Sequence, residues 1–318
     1  MFKHMHLITA LGMALAATSV RAEPTAVSTP SSPAESVRKD IETQLGFLPN
    51  FFRAVPEVVL PGLWGEFRSL RINDSTALPC KIKELIALAV SSQTACKACT
   101  YGATEIAKAT GATEQEIGEA AALASLTRHW STFMNGIQIE LGKHQAEVDN
   151  AVARLRSAPT PPPRAPAPQT VKDAKSARAE VRQLFGGVPE FLERFPDVAV
   201  SGAWQQMRDV EVSSATALPG KYKSLIMLAV AAQIPCSYCT YAETEFAKLA
   251  GATDAEITEA VAMAALAREI TTLFDGMQLD ESAERKDLDR IAHGIRTRRA
   301  KAESPTAVMP VTHTTSRR

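Results

Sequence analysis

Four of the five cysteines form two pairs with the spacing C-x-x-C, Cys96 with Cys99 and Cys236 with Cys239. At the start of a helix, unpaired backbone N–H groups and the positive end of the helix dipole favour the thiolate form of the first cysteine. The second cysteine follows one turn later, within bridging distance. Such a pair cycles between dithiol and disulfide, or takes oxygen from an oxidant as a sulfenic acid that its neighbour resolves. The spacing therefore predicts thiol redox chemistry that needs no metal, haem or other cofactor.

Three other uses of the cysteine pairs remain open. They could be structural disulfides, although a bridge between residues i and i+3 closes a tiny loop and constrains the unfolded chain little. They could hold zinc, although the pairs lie 140 residues apart, much farther than in a zinc ribbon. Haem attachment is disfavoured because Thr100 and Thr240 occupy the position where C-x-x-C-H needs histidine. The fifth cysteine, Cys80, is expected to be an incidental small residue of a helix.

The chain is a tandem repeat with an offset of 140 residues. From Gly46 to Ile139 the two copies align without insertion or deletion, with roughly four in ten positions identical. Both C-x-x-C pairs occupy matched positions, whereas Cys80 aligns with Gly220. A proline-rich segment separates the copies and predicts a semi-rigid linker. We therefore expect a first domain at 36–156, a linker at 157–170, a second domain at 171–300 and a disordered tail at 301–318.

Composition and local signals predict helices throughout both copies. Aromatic residues make up only 6% of the chain, and no alternating run of strand length separates the apolar segments. Pro79 is placed to start a helix whose residues 85–90 are apolar nearly all round, so that helix should be buried. Gly111 is typical of a helix C-terminus, and Thr113 with Glu116 predicts a capping box for the next helix. The fold class predicted is all-α, with two tandem helical domains joined by the linker.

The charge and the N-terminal segment indicate the partners and the location of the protein. Lys and Arg total 35 and Asp and Glu total 35, so the chain lacks the cationic surplus that nucleic acid binding requires. Residues 1–22 resemble a secretory signal peptide, with Lys3 before an apolar run and the small-x-small pattern Val20-Arg21-Ala22 at its end. The run from residue 7 to residue 20 is too short for a bilayer anchor. We expect a periplasmic or secreted protein with neither nucleic acid nor membrane as a partner.

One set of motifs resembles a known family. Glu84, twelve residues before Cys96, the buried apolar helix, the C-x-x-C pair and the Gly-Ala-Thr break at 111–113 resemble the alkylhydroperoxidase D-like, carboxymuconolactone decarboxylase family. The resemblance covers residues 41–144 and 181–280. It implies a small all-α fold that forms homo-oligomers, a hydroperoxide substrate and a thiol electron-donor protein as partner.

The resemblance also implies roles for the cysteines. It makes the second of each pair, Cys99 and Cys239, the thiol that forms the sulfenic acid, and the first, Cys96 and Cys236, the proton donor and disulfide partner. The helix dipole instead favours activation of the first cysteine, so the order of attack stays open. A second function is also open, a non-catalytic helical scaffold in which both pairs are inert disulfides.

Neither copy carries the family motif in full. The glutamate position holds Glu84 in the first copy but Ser224 in the second, and the histidine position, four residues after the second cysteine, holds Ala103 and Glu243. Glu243 lies one helical turn beyond Cys239 on the same face and could accept the thiol proton. The alternative for both glutamates is a solvated surface position. The candidate catalytic residues are Cys96, Cys99, Cys236, Cys239, Glu84 and Glu243.

Two tyrosines and two histidines complete the candidates. Tyr101 and Tyr241 could donate hydrogen bonds near the sulfurs, with buried packing as the alternative. Glu105 is expected to pair with Lys108. His129 and His144 receive no role.

Overall fold

The structure, a computed structural model, describes residues 32–157 and 170–303. Within these ranges the regular elements are all helices, which confirms the predicted all-α fold. The predicted signal peptide, residues 158–169 of the predicted linker and residues 304–318 of the predicted tail lie outside the described residues. No helix in the described ranges has the length and apolar character needed to cross a bilayer.

Each copy contributes seven α-helices in the same order. Those of the first copy are α1 Pro33–Leu45, α2 Asn50–Ala54, α3 Leu60–Glu66, α4 Cys80–Ser91, α5 Lys97–Ala109, α6 Glu114–Ile137 and α7 Leu141–Ser157. Those of the second are α8 Ala174–Phe185, α9 Glu190–Arg194, α10 Asp197–Gln206, α11 Gly220–Gln233, α12 Ser237–Leu249, α13 Asp254–Gly276 and α14 Glu281–Glu303. A π-helical turn follows α3 at Phe67–Arg71 and another follows α10 at Met207–Val212.

The predicted helix boundaries are confirmed where a capping residue marks them. Pro79 precedes α4 as its N-cap, and Gly111 ends the turn after α5 with a φ of 99°. This left-handed conformation favours glycine because no Cβ is present to clash. Thr113 and Glu116 form the reciprocal hydrogen bonds of a capping box at the start of α6. These short-range interactions position α5 and α6 around the first C-x-x-C pair.

The two copies share one hydrophobic core. Helices α4 and α11 are buried side by side, and Leu85 and Ile86 of the first copy belong to the same apolar cluster as Leu225 and Ile226 of the second. The far ends of α6 and α13 cross over, so that Trp130 packs with apolar residues of the second copy. Phe274 and its neighbours on α13 pack in the same way with apolar residues of the first copy. The copies are therefore interleaved.

Hydrogen bonds between the copies are reciprocal. Glu259 accepts from the backbone N–H groups of Ala77 and Leu78, and Glu119 accepts from those of Ala217 and Leu218. A symmetric dimer shows this pattern, in which residue i contacts residue j and j contacts i. The tandem chain thus folds as a covalently linked pseudo-dimer.

The two tyrosines at matched positions of the copies take part in this interface and not in the sulfur sites. The hydroxyl of Tyr101 donates to Asp289 at 2.6 Å and that of Tyr241 donates to Asp149 at 2.7 Å. Both expectations for these tyrosines, a bond near the sulfurs or buried packing, are therefore wrong. The predicted pairing of Glu105 with Lys108 is confirmed at 3.4 Å.

Candidate active sites

Each C-x-x-C pair lies at the start of a helix, as predicted, and is closed as a disulfide. Cys96 is the N-cap of α5, and its sulfur accepts the backbone N–H of Cys99 at 3.2 Å. Cys236 caps α12 in the same way, accepting from Cys239 at 3.2 Å. The Cα atoms within each pair are 5.3 Å apart. Either pair can therefore open and close without moving its helix.

The second cysteine of each pair lines a cavity. Cys99 is half-buried on the wall of a large cavity, and Cys239 lies on the wall of a small one. Cys96 and Cys236 are only 2% and 1% exposed. This geometry favours attack at the second cysteine, with the first as its resolving partner.

The cavity at Cys99 has a volume of about 770 Å³ and is built by both copies. Its apolar lining includes Phe51, Phe52, Phe67, Phe274, Leu288 and Ile291, the last three from α13 and α14. Protein cavities that bind small organic molecules usually have volumes of about this size and mostly apolar walls. The first site therefore has room for a substrate much larger than hydrogen peroxide.

A buried ion pair stands on the wall of this cavity. Arg71, at the end of the first π-helical turn, donates from Nε and Nη2 to the two carboxylate oxygens of Glu84 at 2.8 and 2.7 Å. Glu84 is 2% exposed, so the alternative of a solvated glutamate is wrong. Burial by itself would lower the pKa of Arg71, but the charge and the hydrogen bonds of Glu84 outweigh the effect of burial. The pKa of Arg71 is therefore raised, and the guanidinium stays charged. The carboxylate of Glu84 thus lines the same cavity as Cys99, with its charge compensated by Arg71.

A second buried acid reaches this cavity from the other copy. Glu284 of α14 is 4% exposed, and burial, reinforced by the charge of Asp287, raises its pKa to about 7. Asp287 itself accepts the backbone N–H of Asn50 at 2.7 Å and so anchors α14 to the first copy. The first site therefore combines one ion pair with one acid poised near neutral pH.

The second cavity has a volume of about 80 Å³ and a different set of polar groups. Glu211 replaces Arg71 and Ser224 replaces Glu84, so the ion pair is absent from the described residues of this site. The carboxyl groups of Glu243 and Glu211 line the cavity, and each has a buried oxygen without a hydrogen-bond partner. Burial raises the pKa of Glu211 to about 7; burial and the nearby Glu211 raise that of Glu243 well above its ordinary range. Glu243 is therefore buried beside its cysteine, and the surface alternative for it is wrong.

His144 also lines the second cavity, although α7 of the first copy carries it. The ring is 4% exposed, and neither of its nitrogens makes a hydrogen bond of good geometry. It packs edge to face on Tyr238, within the C-x-x-C motif, with the ring centroids 5.8 Å apart. Burial lowers the pKa of His144, with a smaller opposing contribution from the Tyr238 backbone. Sequence reasoning assigned this residue no role; its match with Glu284 at the 140-residue offset is the signal that would have found it.

Two buried lysines were also missed. Lys83 donates to the carbonyl groups of Leu70 and Asn73 at 2.7 and 2.6 Å, and Lys223 donates to those of Val210 and Ser213, both at 2.6 Å. Each lysine ties the end of a π-helical turn to the following helix. They thereby position Arg71 in the first site and Glu211 in the second.

The free cysteine contributes a thiol that is hard to ionise. Cys80 lies on the wall of the first cavity, and burial, reinforced by Asp74, raises its pKa to about 12. Nucleophilic attack requires the thiolate. Cys80 therefore offers a control position for experiments on Cys99.

Both halves of the chain are similar to one known family. The model of the carboxymuconolactone decarboxylase family matches residues 60–139 and again residues 199–280. These stretches contain both C-x-x-C pairs, together with Glu84 and Glu243. No curated protein and no solved structure matches the chain.

Proposed function

The chain belongs to the carboxymuconolactone decarboxylase family, and from this premise we propose that it is a thiol-dependent peroxidase that reduces hydroperoxides through its C-x-x-C pairs. The observation that carries the proposal is the arrangement of each pair. One sulfur lines a cavity with buried ionisable groups, and its partner stands at the helix N-cap within bonding distance. An inert structural disulfide needs neither the cavity nor the buried acids.

The reaction cycle at the first site has three steps. The Cys99 thiolate attacks the distal oxygen of a hydroperoxide, the O–O bond breaks, and the alkoxide leaves as an alcohol after taking a proton. The resulting sulfenic acid is attacked by the sulfur of Cys96, which forms the disulfide and releases water. An external dithiol then supplies two electrons and two protons to restore both thiols.

The cavity at Cys99 indicates the substrate of this site. Its volume of about 770 Å³ and its aromatic walls suit an organic hydroperoxide, whose apolar part gains free energy on leaving water. The Arg71 guanidinium on the same wall uses Nε and Nη2 for Glu84, which leaves Nη1 to donate a hydrogen bond toward developing anionic oxygen. The cavity at Cys239, about 80 Å³, suits a much smaller oxidant.

The cycle needs a source of electrons. We assign that role to a thiol electron-donor protein, and we place the enzyme in the periplasm or outside the cell because residues 1–22 resemble a signal peptide. Further association of the pseudo-dimer into a homo-oligomer is part of the same proposal.

Turnover of the mature chain with dithiothreitol as electron source tests the function. We expect consumption of cumene hydroperoxide and hydrogen peroxide, loss of both activities in Cys99→Ser/Cys239→Ser, and retention of both in Cys80→Ser. The Cys80 control removes a thiol of the same cavity whose pKa is too high for attack. Unchanged turnover in the double variant would refute the peroxidase and favour the scaffold.

A further inference from the structure

Each cavity is lined by ionisable side chains of the opposite copy, and one position of the repeat contributes to both cavities. His144 of α7 reaches the cavity of Cys239, and Glu284 of α14 reaches that of Cys99. The two positions are equivalent at the 140-residue offset that relates the copies. The exchange is therefore a property of the pseudo-symmetric fold, and the residue type at this position distinguishes the two sites.

The helix that carries His144 is anchored to the second copy on both sides of the ring. Glu147, one turn later, accepts the backbone N–H of Glu190 at 3.2 Å. Earlier in the chain, the carbonyl of Ile139 accepts the hydroxyl of Tyr238 at 2.8 Å. The ring is thus held against the start of α12, where the cysteine pair lies.

The bonding of His144 is incomplete in the oxidised protein. Neither nitrogen of the buried ring makes a hydrogen bond of good geometry, and only a weak backbone contact with Tyr238 opposes the effect of burial, whereas native structures usually pair such groups fully. The same cavity holds the unpaired carboxyl oxygen of Glu243, one helical turn beyond Cys239. Reduction of the disulfide adds a thiol proton to this cavity, and of the ionisable groups that line it Glu243 lies one helical turn from Cys239 and His144 packs on Tyr238 within the motif.

We propose that His144 is a positioning residue of the second site, which takes up the proton of the reduced Cys239 thiol through Glu243. No electrons move in this step: the S–H bond of Cys239 breaks, Glu243 relays a proton, and the ring gains one. The inference rests on the proposed thiol chemistry but not on the identity of the oxidant.

The charges around the ring are consistent with this transfer. Glu211 faces the cavity from the turn after α10, Glu243 from α12 and Glu147 from α7 itself, while Lys223 lies beside Glu211. Burial raises the pKa of each of these three acids and lowers that of His144, so the cavity favours the neutral forms of all four groups before the thiol ionises. Proton transfer then creates a thiolate and an imidazolium whose attraction offsets the cost of burying each.

Alkylation of the reduced thiol tests the proposal without any peroxide. In a Cys96→Ser/Cys99→Ser background, the rate of iodoacetamide reaction at Cys239 is followed against pH, with mass spectrometry identifying the modified residue. We expect His144→Gln to raise the midpoint of the pH profile by about one unit and to slow alkylation near neutral pH by about tenfold. His293→Gln, which removes an exposed imidazole on α14, should leave the profile unchanged.

A second variant keeps the test informative if His144→Gln disturbs the fold. Ala103→Glu/Glu284→His places both a relay acid and a ring at the equivalent positions of the first site, and in a Cys236→Ser/Cys239→Ser background it should lower the midpoint for Cys99. The proposal is overturned if His144→Gln folds and keeps the parent profile, or if His144→Gln fails to fold and Ala103→Glu/Glu284→His leaves the Cys99 profile unchanged. A protein inactive toward peroxides that still shows these shifts would refute the peroxidase but not the role of His144.

Discussion

The ion pair between Arg71 and Glu84 provides a quantitative test of how the first site is built. Both carboxylate oxygens of Glu84 accept hydrogen bonds from the guanidinium of Arg71. The side chain of Glu84 is 2% exposed and that of Arg71 is 10% exposed. Removing one partner of a buried pair costs about 3–5 kcal/mol, because the other charge is left uncompensated. Glu84→Met is therefore expected to lower the free energy of unfolding by about 3–5 kcal/mol.

Removing both charges should restore most of this loss. Replacing a buried ion pair with apolar side chains of similar volume is often neutral, so Arg71→Met/Glu84→Met should lie within about 1 kcal/mol of the parent. Since Arg71→Met should also cost at least about 3 kcal/mol, the interaction energy from the double-mutant cycle would be at least about 5 kcal/mol, above the range found for exposed pairs. Urea unfolding near neutral pH, followed by circular dichroism, measures all three differences.

An exposed pair in the same chain supplies the control. Lys39 and Glu35 are 3.5 Å apart with side chains 69% and 54% exposed, so Glu35→Met should cost no more than about 0.5 kcal/mol. A cost below about 1 kcal/mol for Glu84→Met, or a double variant as unstable as the single one, would refute the reasoning that a buried charge is left unpaired. If the pair also activates the site, the double variant should regain stability while Cys99 remains slow to react with iodoacetamide.

Three further predictions follow from the buried acid, the unequal cavities and the shared core. Because the pKa of Glu284 is raised to about 7, the folded protein retains its proton where the unfolded chain has lost it, so parent stability falls as pH rises from about 4.5 to about 7. Urea titrations should therefore show Glu284→Gln gaining about 1–3 kcal/mol over the parent above pH 7 and nothing at pH 4; parallel curves would contradict this. In peroxide-consumption assays, Cys99→Ser should abolish turnover of cumene hydroperoxide while Cys239→Ser retains it, and equal losses would contradict the assignment by cavity size. After cleavage at a protease site inserted within 158–169, the halves should co-elute in gel filtration because they share a core; a stable monomer of either half would contradict this.

Much of the local structure could be predicted because its causes lie within a few residues. The positions of Cys96 and Cys236 at helix starts, the helix end at Gly111 and the capping box of Thr113 follow from backbone hydrogen bonding over one turn. The same holds for the all-α fold, since apolar periodicity reports the face that a helix buries.

The surroundings of the candidate residues were predicted less well. Both glutamates had a solvated surface as the alternative, yet Glu84 is buried against Arg71 and Glu243 is buried beside Glu211. Neither partner could be found by spacing, because the π-helical turns that carry Arg71 and Glu211 are brought to the sites by packing and by the buried lysines.

By itself the sequence determined the repeat, the helices and the two cysteine pairs, because each depends on similarity at a constant offset or on contacts within a turn. Only the tertiary structure decided which copy completes which site. His144 and Glu284 approach cysteines about a hundred or more residues away along the chain because α4 and α11 bury a common face, which draws α7 and α14 across the pseudo-symmetric interface. Packing between distant segments leaves no periodic signal in either of them, so two copies of one helical unit have cavities of different size, lined by different ionisable groups.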